Sequence, residues 1–138
     1  MLKKIHLQVP TDSRVSDQVL SWFEELNQPP ITNSKIWWQC QTVLKEGFDN
    51  AVEHAHRALP RETPIELEAI RYEGAIEIRI WDCGTPFDLL RKIKETPALE
   101  DNIGEHGRGL KIMEKIADDL RYDRLHDARN CLLIVKYY

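Results

Sequence analysis

Residues 3–9, KKIHLQV, alternate between apolar and polar. Ile5, Leu7 and Val9 fall on one face and Lys4, His6 and Gln8 on the other, the period of a half-buried strand. Pro10 ends the run. Thr11, Asp12 and Ser13 then offer N-cap oxygens. Val15, Val19, Leu20, Phe23 and Leu26 follow at helical spacing up to the Pro29–Pro30 break. A second helix is predicted from Asn33 or Ser34 to about Leu59, with Ile36, Trp37, Cys40, Val43, Leu44, Phe48, Ala51, Val52 and Ala55 as its apolar set. Pro64 opens a pair of alternating runs. Ile65, Leu67 and Ala69 precede a turn at Glu73–Gly74, and Ile76, Ile78 and Ile80 follow it, the pattern of an antiparallel hairpin. Residues 82–106 carry Gly84, Pro86, Pro97 and Gly104 and little periodicity. They read as a long loop with at most one short helix, Leu89–Lys94, and loops of this length are often functional lids. A third helix is predicted over Gly107–Asp118. Two strands follow, Leu120–Leu125 and Cys131–Tyr137, joined at His126–Asp127–Ala128. The order β-α-α-β-β-loop-α-β-β predicts an α+β two-layer sandwich. It does not alternate β-α-β-α, which disfavours a dinucleotide-binding or flavodoxin-like sheet.

The chain of 138 residues fits one domain, 1–138. Its 42% apolar and 30% charged residues suit a soluble globular protein. A net charge of −4 lacks the basic excess expected of a nucleic-acid-binding domain. No apolar run approaches the ~20 residues of a membrane span, and the N-terminus lacks the apolar core of a secretory signal. The cysteines, Cys40, Cys83 and Cys131, are odd in number and widely spaced. Neither a disulfide framework nor a metal knuckle is expected, and a reducing cytoplasm is the expected location.

Three segments carry candidate chemistry. On the second helix, Glu46, Asn50 and His54 lie at i, i+4 and i+8 and project from nearly one face. A carboxylate one turn from a carboxamide offers a proton acceptor and an oxygen ligand for a hard cation, although such polar pairs also occur on solvated helix faces. Asp82-Cys83-Gly84-Thr85-Pro86-Phe87 follows a strand, where an Asp can meet a ligand while Gly84 turns the backbone. The same residue types also make ordinary turns. Gly104-Glu105-His106-Gly107-Arg108-Gly109-Leu110 opens the third helix, where freed backbone N–H groups and the helix dipole favour an anion. It is neither a P-loop nor a dinucleotide fingerprint. Trp22 and the Trp37–Trp38 pair are expected in the core. Adjacent tryptophans cannot both face it, so one marks a candidate partner surface. His6, His56 and His126 read as surface residues.

In this order the three segments resemble the N, G1 and G2 boxes of the GHKL ATPase superfamily, at 46–54, 82–87 and 104–110. Within it the chain is similar to the anti-sigma factor serine/threonine kinases. The resemblance implies the Bergerat-type fold, with a mixed, mostly antiparallel sheet covered on one face by helices and a lid over about 84–106. It implies ATP and Mg²⁺ as cofactors. Asn50 falls where the family holds the metal on the triphosphate, Glu46 where it places the general base, and Asp82 where it accepts a hydrogen bond from the adenine amino group. Gly84 and Pro86 fall in the adenine loop. Gly104, His106, Gly107, Arg108, Gly109 and Leu110 fall in the box that closes over the phosphates, and His54 is a phosphate-side or structural contact.

The implied activity is Mg·ATP-dependent phosphorylation of a STAS-type anti-sigma factor antagonist, with a sigma factor or other output protein as a second partner. Relatives of this type are commonly dimers, so a homodimer is allowed. Neither nucleic acid nor membrane is expected as a partner. A binding module with little kinase activity and an ATPase switch using water share the same nucleotide site and stay open as alternatives. Glu46 favours activation of a hydroxyl or water over histidine autophosphorylation, because sensor histidine kinases usually carry Asn there. Two positions depart from the pattern. His106 stands where small residues are frequent. Asn130–Cys131 stands where Gly-Thr-type residues are common, which leaves a threonine contact near the adenine open.

Overall fold

The computed structural model describes residues 1–96 and 108–138, the side chain of Arg108 excepted. Strand β1 (Lys3–Pro10) leads through a 3₁₀ turn at Ser13–Val15 into helix α1 (Ser16–Phe23), which closes in a second 3₁₀ turn at Glu24–Leu26. Helix α2 (Ser34–Asn50) is followed by a π turn at Ala51–Ala55. The hairpin β2 (Pro64–Tyr72) and β3 (Ala75–Asp82) comes next, then α3 (Leu89–Glu95), α4 (Arg108–Ile116), β4 (Asp119–Arg124) and β5 (Asn130–Tyr137). Among the described residues no helix is long and apolar enough to cross a membrane.

The strands form one five-stranded sheet in the order β1-β2-β3-β5-β4. Every neighbouring pair is antiparallel, so the expected parallel admixture is not found among the described residues. The register aligns Leu7, Leu67, Ile80 and Leu132 in one row and Ile5, Ala69, Ile78 and Ile134 in the next. These rows form the buried face, beneath the helices. The opposite face is polar, with ion pairs Lys4–Glu68 at 3.3 Å, Arg79–Glu77 at 3.1 Å and Arg129–Glu66 at 3.4 Å. One packed and one wet face is the usual state of an antiparallel sheet.

Two features of this core position the site. Gly47 of α2 lies over the sheet, and a β-carbon there would come within 2.7 Å of Ile80 Cδ1. The missing side chain lets the helix backbone settle close to the strands, which fixes the height of Glu46 and Asn50 on either side. Phe48, also on α2, is fully buried. Truncating such a side chain costs about 3–5 kcal/mol, so α2 is anchored by packing independently of its polar face. Trp37 is buried and stacks on Phe23, with ring centroids 4.6 Å apart at 6°. Trp38 is 59% exposed, so the pair divides between core and surface.

The predicted second helix was to reach Leu59, but regular α geometry ends at Asn50. The amide of His56 bonds to the Ala51 carbonyl at 2.9 Å, one residue farther back than in an α-helix. The wider turn rotates the following residues relative to the α2 face. His56 consequently points inward and is 1% exposed, which corrects its reading as a surface residue. His6 and His126 are exposed as expected.

Candidate functional site

Two clusters lie at opposite ends of the α2 C-terminal turns. The first surrounds a cavity of about 90 Å³ lined by Glu46, Asp49, Asn50, Glu53, His54, Gly109 and Leu110. Asn50 is 5% exposed, and its Oδ1 has no hydrogen-bond partner among the described residues. A buried carbonyl oxygen left unbonded costs about 1–3 kcal/mol, so such atoms in native proteins call for an explanation. Glu46 is half-buried one turn before it. Burial raises the Glu46 pKa above its ordinary value; Asp49 and Glu53 push the same way and Lys45 opposes them. Lys45 is itself held by Asp49 at 2.7 Å. Gly109, in the first turn of α4, presses against this carboxylate, and a β-carbon there would collide with Glu46 Oε2.

The lining is acidic, with the carboxylates of Glu46, Asp49 and Glu53 beside Asn50 and one imidazole, His54. Among the described residues no group of three or more His, Cys, Asp and Glu side chains forms a metal cage. Magnesium is ordinarily held by one or two protein oxygens together with substrate phosphates, not by such a cage. The orphaned Asn50 Oδ1 and the neighbouring carboxylates fit that donor set.

The second cluster is centred on Asp82, at the end of β3 and 2% exposed. Its Oδ1 accepts from Asn130 Nδ2 at 2.8 Å and from the Gly84 amide at 2.9 Å. Its Oδ2 accepts from the Tyr122 hydroxyl at 2.8 Å. Burial raises the Tyr122 pKa and Asp82 adds to the effect, so the phenol stays protonated and donates. Each carboxylate oxygen has about two acceptor positions. Oδ1 is therefore filled, and Oδ2 keeps one position for a further donor. The Gly84 carbonyl accepts from Asn130 Nδ2 at 3.1 Å and from Arg124 at 3.0 Å. On its other side Gly84 abuts the Ala55 carbonyl, which a β-carbon would strike. Next to this loop lies a cavity of about 340 Å³ lined by His54, Arg57, Thr85, Phe87 and Lys92. Lys92 sits 6.0 Å from the Phe87 ring centroid. His54 lines both cavities and joins the two clusters.

The structure thus brings together Glu46, Asn50, His54, Gly109 and Leu110 around one cavity, and Asp82 and Gly84 in the adjoining loop. Leu110 reaches the cavity from the apolar core and is 4% exposed. Pro86 is exposed and lines neither cavity. Lys111 turns to Glu114, 3.3 Å away. Gly104, His106, Gly107 and the side chain of Arg108 lie outside the described residues. Sequence reasoning missed Tyr122, Arg124 and the role of Asn130 as partners of the Asp82 loop. The Asp82↔Asn130 register pair, which the inward-facing alternation of β3 and β5 implies, is the signal that would have found Asn130.

The chain is 29% identical over 102 residues to the serine-protein kinase RsbW of Listeria monocytogenes serotype 4a, a stretch covering 69% of this chain and 62% of that protein. It is 30% identical over 83 residues to RsbW of Bacillus licheniformis, covering 56% of this chain and 52% of the relative. In both cases the match spans less than two-thirds of the relative's length. Among solved structures, its fold is similar to that of the SiaB–SiaC complex from Pseudomonas aeruginosa, with a TM-score of 0.64 at 10% identity over 97% of this chain and 89% of that one. It is also similar to the RsbU and RsbW domains of Rv1364c from Mycobacterium tuberculosis, with a TM-score of 0.58 at 16% identity over 98% of this chain and 32% of that one. Residues 9–136 match the family model of the histidine kinase-like ATPase domain, and the chain belongs to that family.

Proposed function

We propose that the protein is an Mg·ATP-dependent serine/threonine kinase of the anti-sigma factor type. Its substrate is a small STAS-type antagonist, and the phosphorylation state of that substrate governs binding of a second partner such as a sigma factor. The observation that carries the reading is the buried Asn50 Oδ1, without a hydrogen-bond partner among the described residues, beside Glu46 in a cavity lined by carboxylates. A triphosphate cannot enter an acidic cavity without countercharge. Mg²⁺ supplies that neutralisation when bound, with Asn50 as the residue that would hold it.

The adenine end belongs at the Asp82 loop. The remaining acceptor position on Asp82 Oδ2 suits the 6-amino group of adenine and repels the 6-carbonyl oxygen that guanine carries at the same place, so a purine whose 6 position meets Asp82 is favoured as adenine. The phosphates then lie along α2 towards α4; residues 97–106 of the expected lid lie outside the described residues. Glu46 accepts the proton of the attacking serine or threonine hydroxyl. The hydroxyl oxygen bonds to the γ-phosphorus as the bond to the β–γ bridging oxygen breaks, and ADP leaves. A carboxylate whose pKa is raised by burial is a better base for this task than an exposed one. Similarity to the RsbW kinases supports a hydroxyl acceptor.

The test is incubation with γ-labelled ATP and a small STAS-domain protein. Acid-stable label on a serine or threonine of that protein, abolished by Glu46→Gln, is the expected result. Label released only as inorganic phosphate would replace the kinase with an ATPase switch. Nucleotide binding with neither product would leave a regulatory binding module.

A further inference from the structure

His56 is a buried imidazole that the nucleotide reading does not use, and its ring ties three parts of the fold together. The Cys83 amide approaches Nε2 at 2.7 Å, and Thr11 Oγ1 lies 2.8 Å from Nδ1. Thr11 Oγ1 in turn lies 2.6 Å from the Thr63 carbonyl. Chemistry fixes the direction of this chain. The amide can only donate, so Nε2 is unprotonated and the hydrogen of the neutral ring sits on Nδ1. Nδ1–H donates to Thr11, whose own hydroxyl hydrogen goes to the Thr63 carbonyl. The ends of β1 and β3 and the approach to β2 are thereby joined through one neutral ring.

Cys83 stands between Asp82 and Gly84. Its amide rests on His56, while the next α-carbon rests on the Ala55 carbonyl. The Asp82–Gly84 loop is therefore seated on the end of the π turn at two consecutive residues. Asn130 and Arg124 hold its carbonyl side.

We infer that His56 is a positioning residue for base recognition: its neutral ring sets the Asp82–Gly84 loop at the height where Asp82 reads the base. The inference rests on the nucleotide-binding reading above. A protonated ring would present N–H on both nitrogens. Nε2–H would then oppose the Cys83 amide, donor against donor, and the loop would lose its seat. From the end of β3 the ring is faced by the Asp82 carboxylate and the Cys83 amide, and from β1 and the β2 approach by the neutral Thr11 and the Thr63 carbonyl beyond it. Burial, the larger influence, keeps the ring neutral, and Asp82 opposes it.

The test is calorimetric titration of the full chain with Mg·ATP, Mg·GTP and Mg·tripolyphosphate. His56→Phe retains bulk and removes both nitrogens, leaving the Cys83 amide without an acceptor. It is expected to weaken ATP about tenfold to a hundredfold and to shrink the preference for ATP over GTP, with tripolyphosphate binding unmoved. His56→Gln places an acceptor oxygen near the Nε2 position and is expected to recover most of the ATP affinity. Because the folded ring titrates below the ordinary histidine value of 6.5, wild-type ATP affinity is expected to fall more steeply than that of His56→Gln as pH drops below that value, the difference between the two cancelling the titration of ATP and Glu46. If His56→Phe does not fold, Thr11→Val decides, with a smaller loss of ATP preference in the same direction.

Wild-type ATP affinity and ATP/GTP preference in a folded His56→Phe, or in Thr11→Val where it stands in, would overturn the inference. So would an equal loss for ATP and tripolyphosphate, which would mark a merely structural role. A wild type that binds tripolyphosphate and shows no preference between ATP and GTP would also overturn it. A wild type that binds none of the three would overturn the nucleotide reading itself, and this inference with it.

Discussion

The two ends of the site differ in how completely they are built. Around Asp82 the carboxylate is held on three sides: Tyr122, Asn130 and the Gly84 amide fill three of its acceptor positions, and His56 holds the backbone behind it. Around Asn50 the reverse holds. Among the described residues a buried oxygen lacks a partner, and three carboxylates share a cavity with it. The first arrangement is stable without a ligand and needs one donor to complete it. The second carries an electrostatic and desolvation cost that a cation and a triphosphate would relieve. In the proposed reading the Asp82 end is thus the preformed one, and the Asn50 end is where ligand binding would change the energetics most.

The largest expected effect separates chemistry from binding. Glu46→Gln removes the proton acceptor while keeping shape and hydrogen bonding. Phosphoryl transfer should fall about 10²–10⁴-fold, with Mg·ATP affinity close to wild type; a single-turnover assay beside calorimetry measures both. Unchanged transfer would remove Glu46 as the base.

Asp82→Asn probes the other end. The amide oxygen still accepts from Asn130 and Gly84, and the amide nitrogen faces a Tyr122 hydroxyl that is able to accept. The fold should survive. The vacant acceptor becomes a donor, so ATP affinity should fall roughly tenfold to a hundredfold and the ATP/GTP ratio should approach or pass unity. Equal loss for both nucleotides would contradict a base-reading role.

Gly109→Ala should act on the phosphate end alone. Its β-carbon displaces the Glu46 carboxylate, so transfer should drop by about one order of magnitude, in line with misplacement of a catalytic group. The ATP/GTP ratio should hold, and a shift in it would blur the division between the two ends.

The smallest effect is on stability. The His56 pKa is lowered by burial, so above its ordinary 6.5 both folded and unfolded chains carry a neutral ring and pH has no effect through it. Below that value the unfolded chain takes up a proton that the folded chain refuses, and stability falls as pH falls. Glu46 works the other way. Its raised pKa makes the folded chain the better proton binder on the acid side, at and above the ordinary 4.5. Comparing wild type with His56→Gln cancels the Glu46 contribution. Thermal melts from about pH 7 to about pH 5 should show the steeper decline in wild type, and parallel curves would show that His56 does not titrate in this window.

How much of this was legible in the sequence follows from the range of the interactions. The alternation of Ile5, Leu7 and Val9 and of Ile76, Ile78 and Ile80 reports a local, period-2 geometry, and Pro10 and Pro64 mark strand ends; these elements form where predicted. Glu46 and Asn50 lie one helical turn apart in one continuous helix, so their meeting at one cavity is also local. The end of α2 was not legible. Ala51, Val52 and Ala55 keep an apolar pattern compatible with α geometry, and the extra residue in the π turn leaves no mark in residue type. That one-residue change turns His56 from the surface into the core. The partners of Asp82 come from β4 and β5, 40 and 48 residues away. Only the strand register places them. The family pattern predicts a threonine-type residue near there, so Asn130 reads as a departure in sequence and as a principal support in the structure.

The central claim is that the unbonded oxygen of Asn50 is the protein's hold on a nucleotide-bound cation. Calorimetric titration of wild type and Asn50→Ala with ATP, each with and without Mg²⁺, tests it directly. The account predicts that wild type binds Mg·ATP, that affinity drops when Mg²⁺ is withheld, and that Asn50→Ala binds weakly to a similar degree in both conditions. An Asn50→Ala variant with the full magnesium dependence of wild type, or a folded wild type that binds no Mg·ATP, would contradict it.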